Sequence, residues 1–214
     1  MVLYLTAAVV GVIVIVVAVI FLTKGGGKNT PNASSSTPGT GNTAAGGPAG
    51  TGAFVLTQAA KVGAFPLNKA ATKAVASVAV KQTGPVSSAL KAKKAGKPGK
   101  PVTAVYDTGS SSTFTASTYG GLVFIGYDGT YDPAAVIKIV RAHLKSSRVV
   151  APGPHGGEMA CGYNTTTGSD ASECVFVTKT TFGVVEFIKD GEPGKQSGAS
   201  ALALKVREAV EVKG

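Results

Sequence analysis

Residues 122–148 read LVFIGYDGTYDPAAVIKIVRAHLKSSR, and the class of the fold turns on them. The opening LVFIGY, at 122–127, is an aliphatic and aromatic run bounded by Gly120-Gly121 and Asp128-Gly129, which predicts a strand between two turns. Asp132-Pro133 then reads as a helix start, because an Asp side chain accepts from first-turn amides and Pro at the first helical position forfeits no intrahelical bond. In the PAAVIKIVRAHLKSSR that follows, Val136, Ile137, Val140 and Leu144 fall on one face and Lys138, Arg141, Lys145 and Arg148 on the other. Strand followed by amphipathic helix is thus the local grammar of the chain.

Working outward, the C-terminal side carries three strand-like runs at 158–163, 173–178 and 182–188, separated by short turns. After a break at 191–198, ASALALKVREAVEV at 199–212 predicts a closing helix buried through Leu202, Val206, Ala209 and Val210. On the N-terminal side, residues 102–106 predict a strand, followed by a long polar stretch at 108–118. Residues 69–90 place Ala71, Val75, Val78, Ala79 and Gln82 at helical spacing, and the helix is expected to break or restart at Gly84-Pro85. AFVLTQAAKVGAFPL, at 53–67, offers a strand before Pro66. The order predicts an α+β domain over residues 53–214, with a mainly antiparallel sheet and about three helices covering one face.

Two segments precede that domain. Residues 2–22, from Val2 to Leu22, read VLYLTAAVVGVIVIVVAVIFL without a charged side chain. At about 1.5 Å rise per residue a helix of this length reaches about 31 Å, the thickness of a bilayer's hydrocarbon core. Residues 1–23 are therefore expected to be a transmembrane anchor with the lipid bilayer as partner; a cleaved signal would have a basic start, a shorter core and a small-residue cleavage site. Residues 24–52, KGGGKNTPNASSSTPGTGNTAAGGPAGTG, have the composition of a flexible linker. Lys24 and Lys28 after the apolar run favour a cytoplasmic C-terminal part by the positive-inside rule. Long domains translocate largely regardless of charge, however, and the stalk composition and cysteines favour the extracytoplasmic side.

The formal net charge is +10, from 21 Lys and Arg against 11 Asp and Glu, which suits association with anionic surfaces. With no Trp and 7% aromatic residues, a stacking platform for bases is poorly supplied, which argues against nucleic acid as the partner. Lys91, Lys93, Lys94, Lys97 and Lys100 lie in KAKKAGKPGKP, read as a basic loop that grips an anionic envelope polymer or, more simply, is solvated.

Cys161 and Cys174 are the only cysteines and sit on neighbouring strand candidates. A disulfide across the hairpin is the leading reading, two reduced thiols the alternative, and a zinc site with His143 and His155 has the wrong spacing. Asp107-Thr108-Gly109-Ser110 resembles the aspartic-protease signature, but that chemistry needs two such carboxylates, and Ser, Thr and Gly after a strand-ending Asp are ordinary turn residues. His155, next to Glu158 in a Pro/Gly turn, is a loop histidine with an outside prospect of metal binding or pH sensing. Asp128 and Asp132 fit a turn and a cap better than a calcium loop. No phosphate-cradling glycine loop, HExxH or GxSxG occurs, and no cofactor is expected.

The segment ACGYNTTTGSDASECVFVTKTTFGVVEF, with the ending ALALKVREAVEV, resembles the C-terminal part of a group of actinomycete single-pass membrane proteins. The matching elements are Cys161-Gly162, Cys174, Gly183-Val184-Val185 and Lys205-Val206-Arg207. Where that group often has Trp-Ala-Asp after the second cysteine, this chain has Val175-Phe176-Val177. The resemblance covers about the last 60 residues plus the anchor-and-stalk layout, and it implies an extracytoplasmic domain without implying a reaction. The expected function is a membrane-anchored, non-catalytic binding module. The alternatives are an envelope hydrolase using Asp107 with His155 or Glu158, and a cytoplasmic tethered nucleic-acid binder.

Overall fold

The computed structural model describes residues 53–107, 120–164, 171–189, 192–193 and 198–214; the expected anchor and linker, and the polar stretch after Asp107, lie outside them. Among the described residues no helix is long and apolar enough to cross a membrane.

Three short strands come first: β1 (Phe54–Leu56), β2 (Lys61–Val62) and β3 (Phe65–Pro66). Helix α1 (Lys69–Ala92) and the long strands β4 (Gly96–Asp107) and β5 (Gly120–Tyr131) follow, then helix α2 (Pro133–Arg141). Strands β6 (Lys145–Val150), β7 (Glu158–Asn164), β8 (Ala171–Val177), β9 (Thr181–Lys189) and β10 (Glu192–Pro193) lead to helix α3 (Ala199–Val210) and a last strand, β11 (Glu211–Lys213). The main sheet has the order β4-β5-β9-β8-β7-β6, with β10 added on β9, and every pairing in it is antiparallel. The fold is α+β, as expected.

Helices cover both faces of the sheet, where one face was expected. Alternate residues Val105, Val123, Ile125, Val175 and Val184 pack with Ala71, Val75, Ala79 and Leu90 of α1 and with Val136, Ile137 and Val140 of α2. The intervening residues, among them Tyr106, Leu122, Phe124, Met159, Phe176 and Val185, pack with Ala203, Val206 and Val210 of α3 and with Leu56 and Val62. Strands that are apolar on both faces require two covering layers.

The Asp132 cap is formed as predicted: its side chain accepts from the Ala135 amide at 3.1 Å. Four boundaries differ from the sequence reading. First, α1 runs unbroken through Gly84-Pro85. An interior proline costs about 3 kcal/mol, but Val86 and Leu90 beyond it are fully buried, at roughly 1.5–3 kcal/mol each, so packing offsets the break. Second, β5 continues through Asp128-Gly129, where the Asp128 carboxylate accepts from the Leu56 amide at 2.8 Å and the Gly129 amide donates to the Thr180 carbonyl at 2.8 Å. A side chain at 129 would meet the Lys97 carbonyl at 2.3 Å, so the glycine serves close strand approach and not a turn.

Third, α2 stops at Arg141, and residues predicted to extend it form β6 on the edge of the sheet. Leu144 is buried just beyond the helix, and Ser146 takes a positive φ of 52° that ends any helical path. Fourth, α3 ends at Val210, and β11 turns away to pair with β1, Leu56 standing opposite Glu211.

Candidate functional site

The two cysteines are brought together. Cys161 on β7 and Cys174 on β8 stand directly opposite each other and are joined by a disulfide, with S–S 2.08 Å and Cα–Cα 4.1 Å. This removes the reduced-thiol and zinc alternatives. Among the described residues no three His, Cys, Asp or Glu side chains are arranged to hold a metal.

Of the five lysines only Lys93 and Lys94 lie in a turn; the other three belong to a helix and a strand. Lys91 lies in the last turn of α1, Lys93 caps it, Lys94 has a left-handed φ of 53°, Lys97 is paired in β4 opposite Thr130, and Lys100 falls at the β4 irregularity between Pro98 and Pro101. Basic residues at a helix C-terminus are favoured by the backbone dipole, and Lys and Pro on an edge strand discourage further strand pairing. All five are exposed. Exposed Lys179 joins them, because its carbonyl accepts from the Tyr131 amide at 3.0 Å next to Thr130. Its distance along the chain hid it from sequence reasoning.

The hydrolase residues are not assembled. Asp107 lies in one row of the sheet with Gly121 and Ile188, whereas Glu158 lies in the row of Val177, Phe182, Tyr127 and Pro101. Six strand positions separate these rows, roughly 20 Å at 3.3 Å per residue. Asp107 is buried and accepts from the Asn68 side-chain amide at 2.8 Å, while Asn68 caps α1 through the Ala71 amide at 3.0 Å. His155 belongs to a separate group on the α3 side. Its Nδ1 is 2.9 Å from Glu211 Oε2, and its ring stacks on Phe54 with centroids 4.6 Å apart.

Glu211 is the centre of that group. Its Oε2 also accepts from Arg207 Nε at 2.7 Å, and its Oε1 accepts from the Thr181 hydroxyl. Arg207 is buried, donates to the carbonyls of Pro152 at 2.5 Å and Gly156 at 2.7 Å, and lies over the Phe176 ring at 5.2 Å. The guanidinium thereby fastens α3 to the Pro/Gly turn before β7. With Arg207 and Glu211 buried and His155 half-buried at its edge, the group braces α3 and β11 against the Pro/Gly turn.

A second buried polar group lies on the opposite face. Glu173 on β8 and Glu186 on β9 are register partners, and both are buried. Asn164 Nδ2 donates to Glu173 Oε2 at 2.9 Å. Among the described residues, Glu173 Oε1 and both carboxylate oxygens of Glu186 have no hydrogen-bond partner. Burial pushes the Glu173 carboxyl up to about 7 despite the opposing Asn164 bond; burial, and then the adjacent Glu173 charge, push Glu186 up to about 8. Sequence reasoning passed over this pair, as it passed over Arg207 and Glu211. The available signal was a lone Glu inside each of two otherwise apolar strands, ECVFV and GVVEF.

No protein-family model, curated protein or solved structure matches this chain.

Proposed function

We propose that this chain is a membrane-tethered extracytoplasmic module that binds an anionic envelope polymer and catalyses no reaction. The observation that carries the reading is the Cys161–Cys174 disulfide, a bond that persists in oxidising compartments and is rare in the cytoplasm. The uncharged run from Val2 to Leu22 supplies the anchor and residues 24–52 the leash. The resemblance to the actinomycete single-pass proteins agrees with this layout. For the contact surface, the exposed corner of Lys91, Lys93, Lys94, Lys97, Lys100 and Lys179 offers concentrated positive charge, which suits a polyanion held by charge.

Two measurements test the reading. With Ser35→Cys in the linker, a membrane-impermeant maleimide should label intact cells, and the chain should fractionate with membranes until detergent is added; labelling only after lysis overturns the external placement. For binding, a soluble poly(glycerol phosphate) should be retained at low salt and released as salt rises, and replacing the corner lysines by Glu should abolish retention. Salt-independent retention, or retention unaffected by those substitutions, overturns the polymer reading.

A further inference from the structure

We propose that Glu173 and Glu186 form a buried site for one hard divalent cation on the face of the sheet covered by α1 and α2. The row that carries them runs Gly162, Glu173, Glu186, Val123, Val105 across five strands. At one end of this row the Val105 amide donates to the Thr72 hydroxyl of α1 at 2.9 Å. At the other end, a Cβ on Gly162 would meet Leu144 Cβ and the Lys145 carbonyl, each at 2.9 Å, just beyond the end of α2. The two carboxylates therefore lie between the start of one helix and the end of the other.

Among the described residues, three of their four oxygens have no hydrogen-bond partner, although both side chains belong to residues at most 2% exposed. Carboxylates in such a place are normally paired with a cation or supplied with donors. Lys69 and Lys73, in the first turns of α1, point their exposure to solvent, so the nearby helix supplies no buried counter-charge. Two carboxylates match a doubly charged ion, and oxygen-only donors select the calcium, magnesium and manganese class over soft metals. The cysteines, which would favour zinc, are joined to each other on the other face. Asn164 is the positioning residue: its amide fixes one Glu173 oxygen and leaves the other free to coordinate.

The test uses the full-length chain in detergent, stripped with a chelator and titrated by calorimetry with CaCl2, MgCl2 and MnCl2. At least one of these should bind at one ion per chain and raise Tm by about 5 °C at millimolar concentration. Glu186→Gln and Glu173→Gln should each abolish binding while keeping the circular dichroism of the fold, and Asn164→Ala should weaken affinity tenfold or more. Absence of heat and of a Tm change with all three salts in the wild-type chain overturns the site, whether or not the variants fold. Undiminished binding by Glu186→Gln overturns it equally, by moving the ion elsewhere; a Tm that responds to protons alone assigns the pair to proton sharing.

Discussion

Glu173 and Glu186 face each other in register across β8 and β9, both buried under the helices. Burial holds their carboxyls up to about 7 and about 8, well above the ordinary Glu range near 4.3. Between that ordinary range and pH 8 the folded chain binds protons that the unfolded chain has released, so stability falls as pH rises through this window. The contribution is complete below the ordinary Glu pKa and lost above about pH 8. In chelator, the melting temperature of the wild-type chain should therefore be lower at pH 9 than at pH 6, relative to Glu186→Gln, which cannot ionise at this position. Identical pH profiles for the two proteins would refute the assignment.

The disulfide closes a loop with a sequence separation of 13 between two central strands. Chain-entropy reasoning gives about 3 kcal/mol for a loop of this size. Cys161→Ala with Cys174→Ala should lower the unfolding free energy read from urea denaturation by that amount, and reductant should do the same to the wild-type chain while leaving the double variant unchanged.

Arg207 is a buried cation held by Glu211, two carbonyls and the Phe176 ring. Arg207→Met leaves the Glu211 carboxylate buried without its main counter-charge and should cost about 3–5 kcal/mol in urea denaturation. Adding Glu211→Gln should recover part of that loss. A double variant as unstable as the sum of the two single ones would show that the residues act independently.

Gly183 on β9 stands between Gly126 on β5 and Phe176 on β8. A Cβ there would lie 2.3 Å from Phe176 Cζ, and one at Gly126 would lie 2.6 Å from Phe124 Cζ. The paired glycines make a hollow over which these two rings stack, centroids 6.1 Å apart. Gly183→Ala should destabilise by about 1–3 kcal/mol through overpacking, read by thermal melting, and Phe176→Leu in the same chain should relieve part of it.

Local chemistry was legible wherever neighbours in sequence settle the outcome. The Asp132-Pro133 start of α2, the β7-β8-β9 meander and the amphipathic face of α3 follow from a capping side chain, short turns and apolar spacing. The cysteine pairing belongs here too, since a hairpin brings its two arms together whatever covers them. Gly84-Pro85 misled for the converse reason: local propensity argues for a break, and only the burial of Val86 and Leu90 against the sheet overrides it.

The candidate sites depended on register and layer. Glu173 and Glu186 become a pair only when β8 meets β9 at one particular alignment, and a slip by one residue would send either side chain to the other face. Arg207 and Glu211 carry no local sign of burial; the packing of α3 over Phe176 and the pairing of β11 with β1 bring them inside. What the sequence determined alone was the capped start of α2, the β7-β8-β9 meander, the apolar faces of α2 and α3 and the closeness of the two cysteines across a hairpin, because these arise from interactions a few residues apart. Tertiary structure alone decided which charged groups lie in the interior and which oppose one another, because desolvation and strand register are properties of the assembled sheet and of no single segment.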